Sequence, residues 1–588
     1  MASSEAGVRM TPSTNKYSNR VILKTIFERS DGGVGFAGQR VVIGGWVKSS
    51  REMKEEAELS QNVGTKDARC MEALRFPLLR VILKTIFERS DGGVGFAGQR
   101  VVIGGWVKSS REMKEEAELS QNVGTKDARC MEALRFPLLR SIWKALRGEG
   151  DSRVHQKMDL DVPEPPKPSL TLLQLSDGSS LHRLVVLVSS ELASPSQILP
   201  TGTCIVVEGT LQQPALQMKH VIELKADRIL HLGTVEPNSY PLTKKQLRLE
   251  FLRNYPHLRA RTSTVASVMR IHSAITRALH AFFQDNEFLF VQVPTITTTL
   301  TRGSSNKFLV NPILENQEVS NEAKAEFSKN FFPQQMYLTD SGRLHLEAQA
   351  CALGNVYTYG PRFQAKKSLP EMLIFEAEMA FSKLEDAMNC ADDLLKFICK
   401  WVLENSTEDV KFLSKRADKS IEDRLQLMTS CSPEKVSYTE AVKVLNQATE
   451  KKTGNSMEWG VPLTDEHASY LVDKIYKKPV IIYDHPKNLK PFNVRLNDDE
   501  KTVAAFDIIF PKFGTLVSGS QSEERLNTLS SRIEEFGLSK QHYEWYLDLR
   551  RHGTVQHSGL SLMVDSLVLF ATGLYDIKDV VPFCTTPI

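Results

Sequence analysis

The hydrophobic and polar pattern changes its period along the chain. Apolar residues recur every three or four positions in TVASVMRIHSAITRALHAFF (264–283), at Val268, Ile271 and Ile275, for example. This spacing predicts an amphipathic helix. Short runs such as SLTLLQLS (169–176) instead have strand character and are bounded by turn residues. The pattern therefore predicts a β-rich part followed by a part that mixes helices and strands.

The β-rich part follows a proline-rich stretch, VPEPPKPS (162–169), which predicts a linker. Short strands and turns then alternate as far as residue 233, and this spacing predicts a small antiparallel barrel of the OB-fold type. A strand of the sequence GGWVKSS would complete it. Such barrels bind oligonucleotides on one face, although a five-stranded barrel alone does not identify its ligand. From 234 to 588 the pattern predicts an α+β domain with a mainly antiparallel sheet.

A tandem repeat precedes the linker, because residues 21–80 recur without change as residues 81–140. Each copy contains GGWVKSS, so we expect one copy to supply the missing barrel strand. Complete identity indicates either a recent duplication or a gene-model error. The predicted organisation comprises a polar tail at 1–20, the repeat at 21–140, a linker at 141–168, the rest of the barrel at 169–233, and the mixed domain at 234–588.

Composition and cysteine spacing indicate in which compartment the protein lies and to which class of proteins it belongs. Charged residues make up 25% of the chain and hydrophobic residues 41%, with a net charge of +3, as is typical of soluble globular proteins. No apolar run has the length of a membrane span, and the first twenty residues lack a secretory apolar core. The eight cysteines form no C-x-x-C pair, which argues against a zinc site or a disulfide framework. These features predict a cytoplasmic protein with no membrane association.

Six segments, in order along the chain, resemble asparaginyl-tRNA synthetases, a group of class IIb aminoacyl-tRNA synthetases, and most of all a divergent, plant-like cytoplasmic type 2 form. These segments are RNYPHLRART (253–262), YLTDSGRLHLEAQACALGNVYTYGPRF (337–363), RLNDDEKTVAAFD (495–507), GSQSEER (519–525), WYLDLRRHG (545–553) and FATGLYDIKDVVPF (570–583). Several long motifs in one order are far more specific than a single short motif.

The resemblance implies a fold and a reaction. The fold would be an N-terminal OB-fold barrel that binds the tRNA anticodon, followed by a class II catalytic domain whose antiparallel sheet is flanked by helices. The reaction would join ATP and asparagine into asparaginyl-adenylate, with Mg²⁺ as cofactor, and then transfer asparagine to tRNA(Asn). The family forms homodimers, and the resemblance places the interface at residues 264–294, with Pro294 within it.

The resemblance also implies site residues. For ATP they are Arg362, Glu371, Met372, Asp507 and Gly559, with Asp507 also the metal ligand. For the amino acid they are Ser341, Glu347, Ser520, Arg525, Arg551 and His557, with Arg551 at the asparagine side-chain carbonyl. No catalytic residue is assigned with certainty. Arg362 is a candidate substitute for a missing motif 2 arginine, because residues two apart share a strand face.

The motifs that contact phosphate depart from the family pattern. Motif 2 normally reads Phe-Arg-Ala-Glu, a loop and then His-Leu-Pro-Glu-Phe. Here FQAK (363–366) is followed by one lysine and SLPEM, so Gln364 replaces the arginine and most of the loop is absent. Motif 3 normally reads Gly-x-Gly-x-Gly-x-Glu-Arg. Its positions here are Gly559, Ser561, Met563, Asp565 and Ser566.

The metal-binding and substrate segments depart as well. The family segment GEIIGGS is GTLVSGS (514–520) here, so Thr515 replaces the glutamate that accompanies Asp507. A neutral hydroxyl is a poor magnesium ligand beside a carboxylate. The substrate loop Glu-Gly-Ala-Gly-Glu is RGSSN (302–306). Glu376 and Glu378 share one strand face, as a catalytic carboxylate pair would, but we interpret them as structural.

Three hypotheses follow from these patterns. The first is an active asparaginyl-tRNA synthetase. The second is a catalytically impaired or inactive paralogue that retains dimerisation and tRNA binding, because the residues at the phosphates are degenerate. The third is a pseudogene product that does not fold stably. The motif substitutions favour the second hypothesis, whereas the length and order of the matching segments favour the first.

Overall fold

The computed structural model describes nine stretches of the chain: residues 83–113, 169–214, 222–243, 246–301, 307–311, 331–332, 334–365, 369–449 and 457–583. They fall into two compact units, a barrel unit that ends at Thr243 and a larger unit that follows it. Within the described stretches, no helix combines the length and apolar character needed to cross a membrane.

The barrel unit is a closed barrel of five strands in the order β1-β2-β3-β5-β4. Its strands are β1 (Arg100–Met113), β2 (Leu170–Ser176), β3 (Leu184–Ser189), β4 (Cys204–Gln212) and β5 (Glu223–Gly233), with two short helices, α1 (Leu83–Phe87) and α2 (Pro195–Ile198). The predicted barrel is confirmed. One strand pairing differs from the antiparallel prediction: β3 and β5 run parallel to each other, and the chain between them forms α2 and β4.

The interior of the barrel is apolar, and Ile103, Val107 and Leu173 are fully buried within it. Successive strand residues point to opposite faces, so one residue in two enters this core. Close approach of β4 and β5 requires glycine at position 209, since a Cβ there would lie 2.1 Å from the carbonyl oxygen of Lys225. The barrel therefore closes through a tight strand contact at Gly209.

Strand β1 comes from the second copy of the repeat, and the first copy, residues 21–80, lies outside the described residues. The chain between β1 and β2 is about half as long as it would be if the first copy supplied the strand. Halving a loop favours its closure by about 0.6 kcal/mol. The observed choice of copy agrees with this small preference.

The larger unit contains an eight-stranded sheet in the order β12-β13-β14-β15-β16-β11-β10-β6, antiparallel except at the pairs β12–β13 and β10–β6. Its strands are β6 (Leu289–Phe290), β10 (Asn355–Phe363), β11 (Glu371–Ala380), β12 (Glu434–Ser437), β13 (Val480–Pro486), β14 (Thr502–Phe510), β15 (Gly514–Gln521) and β16 (His557–Met563). A small second sheet consists of β7 (Ile296–Thr297), β8 (Leu309–Val310) and β9 (Met336–Leu338). The α+β architecture with a mainly antiparallel sheet is confirmed.

Helices accompany this sheet. They are α3 (Leu249–Leu252), α4 (Ser263–Asp285), α5 (Arg343–Leu353), α6 (Leu384–Asn405), α7 (Thr407–Arg416), α8 (Ile421–Ser430), α9 (Tyr438–Thr449), α10 (Asp465–Ser469), α11 (Leu526–Glu535), α12 (Glu544–Arg551) and α13 (Val564–Thr572). The predicted apolar stripe of α4 is buried, and the Thr262 side chain caps the start of this helix. Phe283 of α4 stacks on Phe375 of β11, with ring centroids 4.7 Å apart. One face of the sheet is thereby sealed, and the opposite face remains available for a cavity.

Because the two copies of the repeat are identical, we predict that either copy can supply the barrel strand when the other is destabilised by a substitution. Replacing Ile103 by alanine should lower the free energy of unfolding of the barrel by only about 0.6 kcal/mol, because the first copy can then take the place of β1. The double variant Ile43→Ala/Ile103→Ala has no intact copy and should lose about 2–5 kcal/mol. Urea denaturation of the full chain measures both values.

Two controls accompany this experiment. Ile43→Ala alone should leave the urea midpoint unchanged, because the second copy supplies β1. Deleting residues 21–80 from the Ile103→Ala variant should reproduce the loss of the double variant. If Ile103→Ala alone is as unstable as the double variant, the first copy does not enter the barrel.

Candidate active site

A cavity of about 680 Å³ lies over the open face of the larger sheet. Residues two apart on a strand share a face, and this alternation places Met372, Ile374 and Glu376 of β11 on the cavity. The other strands contribute Asp507 of β14, Ser518 and Ser520 of β15, and Ser561 and Met563 of β16. Asp340, Ser341 and Arg343 also line the cavity, as do several residues of the segment 488–494, among them Lys490 and Asn493. The cavity lining thus combines polar and charged side chains with apolar ones such as Met372, Ile374 and Met563.

The first buried ion pair joins Glu376 of β11, on the cavity lining, to Arg362 of β10 behind it. The Nε and Nη2 atoms of Arg362 donate to Glu376 Oε2 at 2.9 and 2.7 Å, and both side chains are almost fully buried. Ser341 Oγ donates to Glu376 Oε1 at 2.6 Å, and the backbone N–H of Gly342 donates to Oε2 at 2.9 Å. One carboxylate therefore fixes both the strand hairpin and the turn that carries Ser341.

The second buried ion pair joins Arg343, at the start of α5, to Glu378. Arg343 Nη2 lies 2.9 Å from Glu378 Oε2, and Arg343 Nη1 donates to Ser520 Oγ at 2.7 Å. Burial raises the pKa of Glu378, and the nearby charge of Arg343 only partly opposes this effect. Arg343 lines the cavity, and its guanidinium is held by Glu378 and Ser520.

The third group surrounds Glu347 of α5, which is fully buried. Its carboxylate accepts hydrogen bonds from Tyr546 at 2.5 Å, Arg550 at 3.0 Å and Asn493 at 3.2 Å, and His557 Nε2 lies 3.0 Å away. Burial raises the pKa of Glu347, but the His557 contact and the charge of Arg550 outweigh burial and hold the pKa below its usual range. Glu347 therefore remains ionised in the folded protein.

Glu347, Glu378 and His557 have ligand atoms within 4.8 Å of one another, the one grouping of three such side chains among the described residues. Both carboxylates already have arginine partners, Arg550 and Arg343. A metal ion would have to displace these buried cations, which is unfavourable. The grouping is therefore better explained as part of the ion-pair layer than as a metal centre.

The fourth group surrounds Asp507 of β14, on the cavity lining. Lys490 Nζ donates to Asp507 Oδ2 at 2.6 Å, and Ser518 Oγ donates to Oδ1 at 2.6 Å. Burial raises the pKa of Asp507, but the charge of Lys490 outweighs burial and lowers the pKa below its ordinary range. His485 Nε2 lies 3.2 Å from Oδ2, and burial lowers the pKa of this histidine to about 4, so the ring is neutral at pH 7.

Similarity to known proteins identifies the family. The model of class II tRNA synthetases for D, K and N matches residues 248–587. The asparagine–tRNA ligase named cytoplasmic 2 from Arabidopsis thaliana is 44% identical over 601 residues, covering 86% of this chain and 94% of the relative. The asparagine–tRNA ligase of a Synechocystis strain is 40% identical over 457 residues, covering 76% of this chain and 98% of the relative. The chain belongs to the class II asparagine–tRNA ligase family.

A solved structure agrees with this assignment at the level of the fold. The asparaginyl-tRNA synthetase of Pyrococcus horikoshii complexed with asparaginyl-adenylate superposes with a TM-score of 0.62 at 23% identity, over 84% of this chain and 96% of the other. The expected class II fold with a closed barrel at its N-terminal side is thus confirmed.

Four site residues predicted for the synthetase line the cavity: Ser341, Met372, Asp507 and Ser520. Four others lie beneath the lining rather than on it: Glu347, Arg362, His557 and Gly559. Glycine is needed at 559 because a Cβ there would lie 2.1 Å from Glu378 Oε2. The guanidinium of Arg362, the candidate substitute for the motif 2 arginine, is committed to Glu376 and does not face the cavity.

The remaining predicted residues lie outside the cavity lining. Glu371 and Pro294 are exposed, and Arg525 is held by Glu523 at 2.7 Å. Arg551 is partly exposed at the end of α12 and pairs with Glu544 and Asp548, each at 2.6 Å. The structure therefore does not bring Arg551, the predicted contact for asparagine, to the cavity.

The neighbouring Arg550 is the inward residue. Tyr543, Tyr546, Leu547 and Arg550 recur at helical spacing and are all buried, so they form the inner face of this segment. That stripe is readable in the sequence, and it places Arg550 inside and Arg551 outside. No comparable sequence pattern predicts the contact of Lys490 with Asp507, because this contact depends on the arrangement of the strands and not on local spacing.

The degenerate motif positions also line the cavity: Gln364, Thr515, Ser561 and Met563. Asp565 is buried at the start of α13 and accepts a hydrogen bond from the Leu373 N–H at 3.0 Å. Burial raises its pKa to about 6. The shortened motif 2 loop at 366–368 and the RGSSN segment (302–306) lie outside the described residues.

We predict opposite outcomes for two adjacent arginines. Arg550→Gln leaves the buried Glu347 carboxylate without its cation and should lower the free energy of unfolding by about 3–5 kcal/mol. Arg551→Gln removes only exposed ion pairs and should change it by less than about 1 kcal/mol. Thermal and urea denaturation of the two variants measure the difference.

Arg551→Gln also tests the prediction that Arg551 contacts asparagine. In the structure as described, this variant should keep the asparagine dependence of adenylate formation. A large rise in the KM for asparagine at unchanged stability would instead show that Arg551 turns inward when asparagine binds.

Proposed function

We propose that this chain is an asparagine–tRNA ligase that activates asparagine with ATP and transfers it to tRNA(Asn). One observation supports this proposal above the others. Identity to the Arabidopsis cytoplasmic 2 ligase reaches 44%, over 86% of this chain and 94% of that relative. Because three Arabidopsis relatives are named cytoplasmic, we also propose that the activity is cytoplasmic.

In the proposed reaction, an asparagine carboxylate oxygen attacks the α-phosphorus of ATP, and pyrophosphate leaves. A ribose hydroxyl of the tRNA then attacks the acyl carbon, and AMP leaves. The protein's contribution is mainly position and charge. Ser341 and Ser520 offer hydroxyl groups near the buried cation Arg343, which suits the amino-acid end. Met372 offers an apolar surface for adenine, and Lys490 lies where anionic phosphates would be neutralised.

We assign tRNA binding to the barrel unit. OB-folds bind single-stranded nucleic acid through stacking and contacts to base edges. The five strands described here close such a barrel without using the larger unit's residues. We therefore assign contact with the anticodon to the barrel unit and both chemical steps to the larger unit.

The relatives support the ligase over the alternative of an inactive paralogue. The motif substitutions should nevertheless reduce the rate. Two arginine contacts to phosphate are replaced by Gln364 and Ser566, and each charge-assisted hydrogen bond contributes about 1.5–3 kcal/mol. Since about 1.4 kcal/mol is tenfold in rate, adenylate formation should be about a hundredfold or more slower than in a synthetase with both arginines.

The test is asparagine-dependent exchange of labelled pyrophosphate into ATP, followed by charging of a tRNA(Asn) transcript by the full chain. We expect exchange with asparagine, a reduced rate, and no exchange with aspartate as the matched control. Absence of exchange together with retained tRNA binding would overturn the ligase proposal in favour of the inactive paralogue.

We further propose a homodimer through the edge of the larger sheet. Strand β6 is the last strand of that sheet, and Leu289 and Phe290 are each 51% exposed on it. Ile296, which follows Pro294, is also exposed. An exposed apolar sheet edge of this kind favours aggregation unless another surface covers it. A second copy of the chain is the occupant that the family resemblance predicts.

Phe290→Glu should dissociate this dimer, because a charge would be buried in the interface without a partner. Sedimentation velocity at micromolar concentration should show a dimer for the unmodified chain and a monomer for the variant. Leu427→Glu is the matched control, since Leu427 is similarly exposed but lies on helix α8. A monomeric unmodified chain would remove the dimer proposal.

A further inference from the structure

The carboxylate of Asp507 already has a partner for each oxygen. Lys490 Nζ lies 2.6 Å from Oδ2, and Ser518 Oγ donates to Oδ1 at 2.6 Å. His485 Nε2 approaches both Oδ2 and the Ile482 carbonyl oxygen, at 3.2 and 3.1 Å, so it is placed as a donor. Lys490 is thus the lysine whose ammonium directly contacts this carboxylate.

These residues do not fit a magnesium ion held at Asp507. Mg²⁺ requires oxygen ligands at about 2.0–2.1 Å in octahedral geometry, usually including one or two carboxylates. The lysine ammonium stands where an ion would approach Oδ2, and the Ser518 hydroxyl occupies Oδ1. The position of the family's second carboxylate is Thr515, which is neutral.

Two substitutions in one strand act in the same direction. In the segment GTLVSGS (514–520), Thr515 occupies the position of the glutamate in the family segment GEIIGGS. Ser518 occupies the position of the first glycine in the Gly-Gly pair of that segment. The first change removes a negative charge, and the second adds a hydrogen-bond donor to the charge that remains. The result is a carboxylate satisfied by protein groups alone.

We propose that the ammonium of Lys490 replaces a protein-held divalent cation at this position and contacts the polyphosphate of the bound nucleotide directly. The identity of the ligand as a nucleotide rests on the proposed function. An ammonium has three N–H donors, and the contacts of Lys490 among the described residues use one of them, to Asp507. Lys490 lines the cavity, so the other two donors are available to phosphate oxygens.

Asp507 and Ser518 are positioning residues in this arrangement. Asp507 fixes the ammonium over the cavity, and Ser518 fixes the carboxylate. A lysine binds phosphate as a point charge and needs no fixed coordination geometry. Any divalent ion required for the reaction would then be brought by the nucleotide itself and not by Asp507.

The first experiment measures binding of Mn²⁺ alone, without nucleotide, to the full chain by electron paramagnetic resonance. We expect no Mn²⁺ bound at Asp507 in the unmodified protein. The variant Lys490→Gln/Thr515→Glu/Ser518→Gly frees one carboxylate and restores a second, so it should bind about one Mn²⁺ per chain. Lys490→Arg keeps a cation there and should stay free of metal.

The second experiment measures ATP binding by calorimetry in EDTA, so that no divalent ion contributes. Lys490→Gln should weaken metal-free ATP binding by about ten- to a hundredfold, the effect of one charge-assisted hydrogen bond. Lys490→Arg should restore most of the affinity. Lys443→Gln, on an exposed position of helix α9, is the matched control and should bind like the unmodified chain.

Two outcomes would overturn the proposal. One is a Mn²⁺ ion bound to the unmodified protein and lost in Asp507→Asn, a measurement that requires no Lys490 variant to fold. The other is unchanged metal-free ATP affinity in a folded Lys490→Gln variant, with folding checked by thermal denaturation. Neither experiment uses asparagine, tRNA or pyrophosphate exchange, so failure of the ligase activity and failure of this proposal are distinguishable.

Discussion

The buried ion pairs beneath the cavity are the constraint on which the arrangement of the site depends. Arg343–Glu378 joins a helix to the sheet, and Arg550–Glu347 joins two helices that are distant in sequence. Arg362–Glu376 joins the neighbouring strands β10 and β11. A buried charge without its partner is strongly unfavourable, so the two halves of each pair must arrive together. Helix α5, helix α12 and strand β11 are thereby fixed relative to one another within the larger unit. The turn at Ser341 and the hydroxyl of Ser520 take their positions from the same arginines and carboxylates.

This constraint limits what the cavity offers to a ligand. Arg343 and Lys490 are cations on the lining, but each is already paired with a buried carboxylate. Their attraction for phosphate is therefore smaller than that of an unpaired arginine, while their positions are better defined. Preorganised charges of this kind stabilise a bound anion without reorganising. The loss of the motif arginines thus removes unpaired positive charge from the site, whereas the buried ion pairs keep the remaining charged side chains in fixed positions.

Much of the fold could be predicted from the sequence, because its signals are local and repeated. The apolar stripe of α4 and the short strands of the barrel follow from the spacing of apolar and turn residues. The parallel pairing of β3 with β5 was not predictable in this way, since it depends on how the barrel closes. At the site, the family motifs indicated Ser341, Met372, Asp507 and Ser520. The choice between Arg550 and Arg551 was readable from the helix stripe. Lys490 instead lies in the connection between the neighbouring strands β13 and β14, and no local periodicity marks its contact with Asp507.

The residues around Asp507 also explain why the metal position cannot be regained by a single reversal. Thr515→Glu alone would place a second carboxylate in a cavity wall where one lysine already neutralises Asp507. An incoming ion would still have to displace that ammonium and break the hydrogen bond from Ser518. Ser518→Gly alone would leave one oxygen of a largely buried carboxylate without a donor and provide no second ligand. Each single change is therefore unfavourable on its own, and only their combination with the loss of Lys490 creates a divalent site. Coupling between neighbours of this kind is expected wherever residues share one charged network.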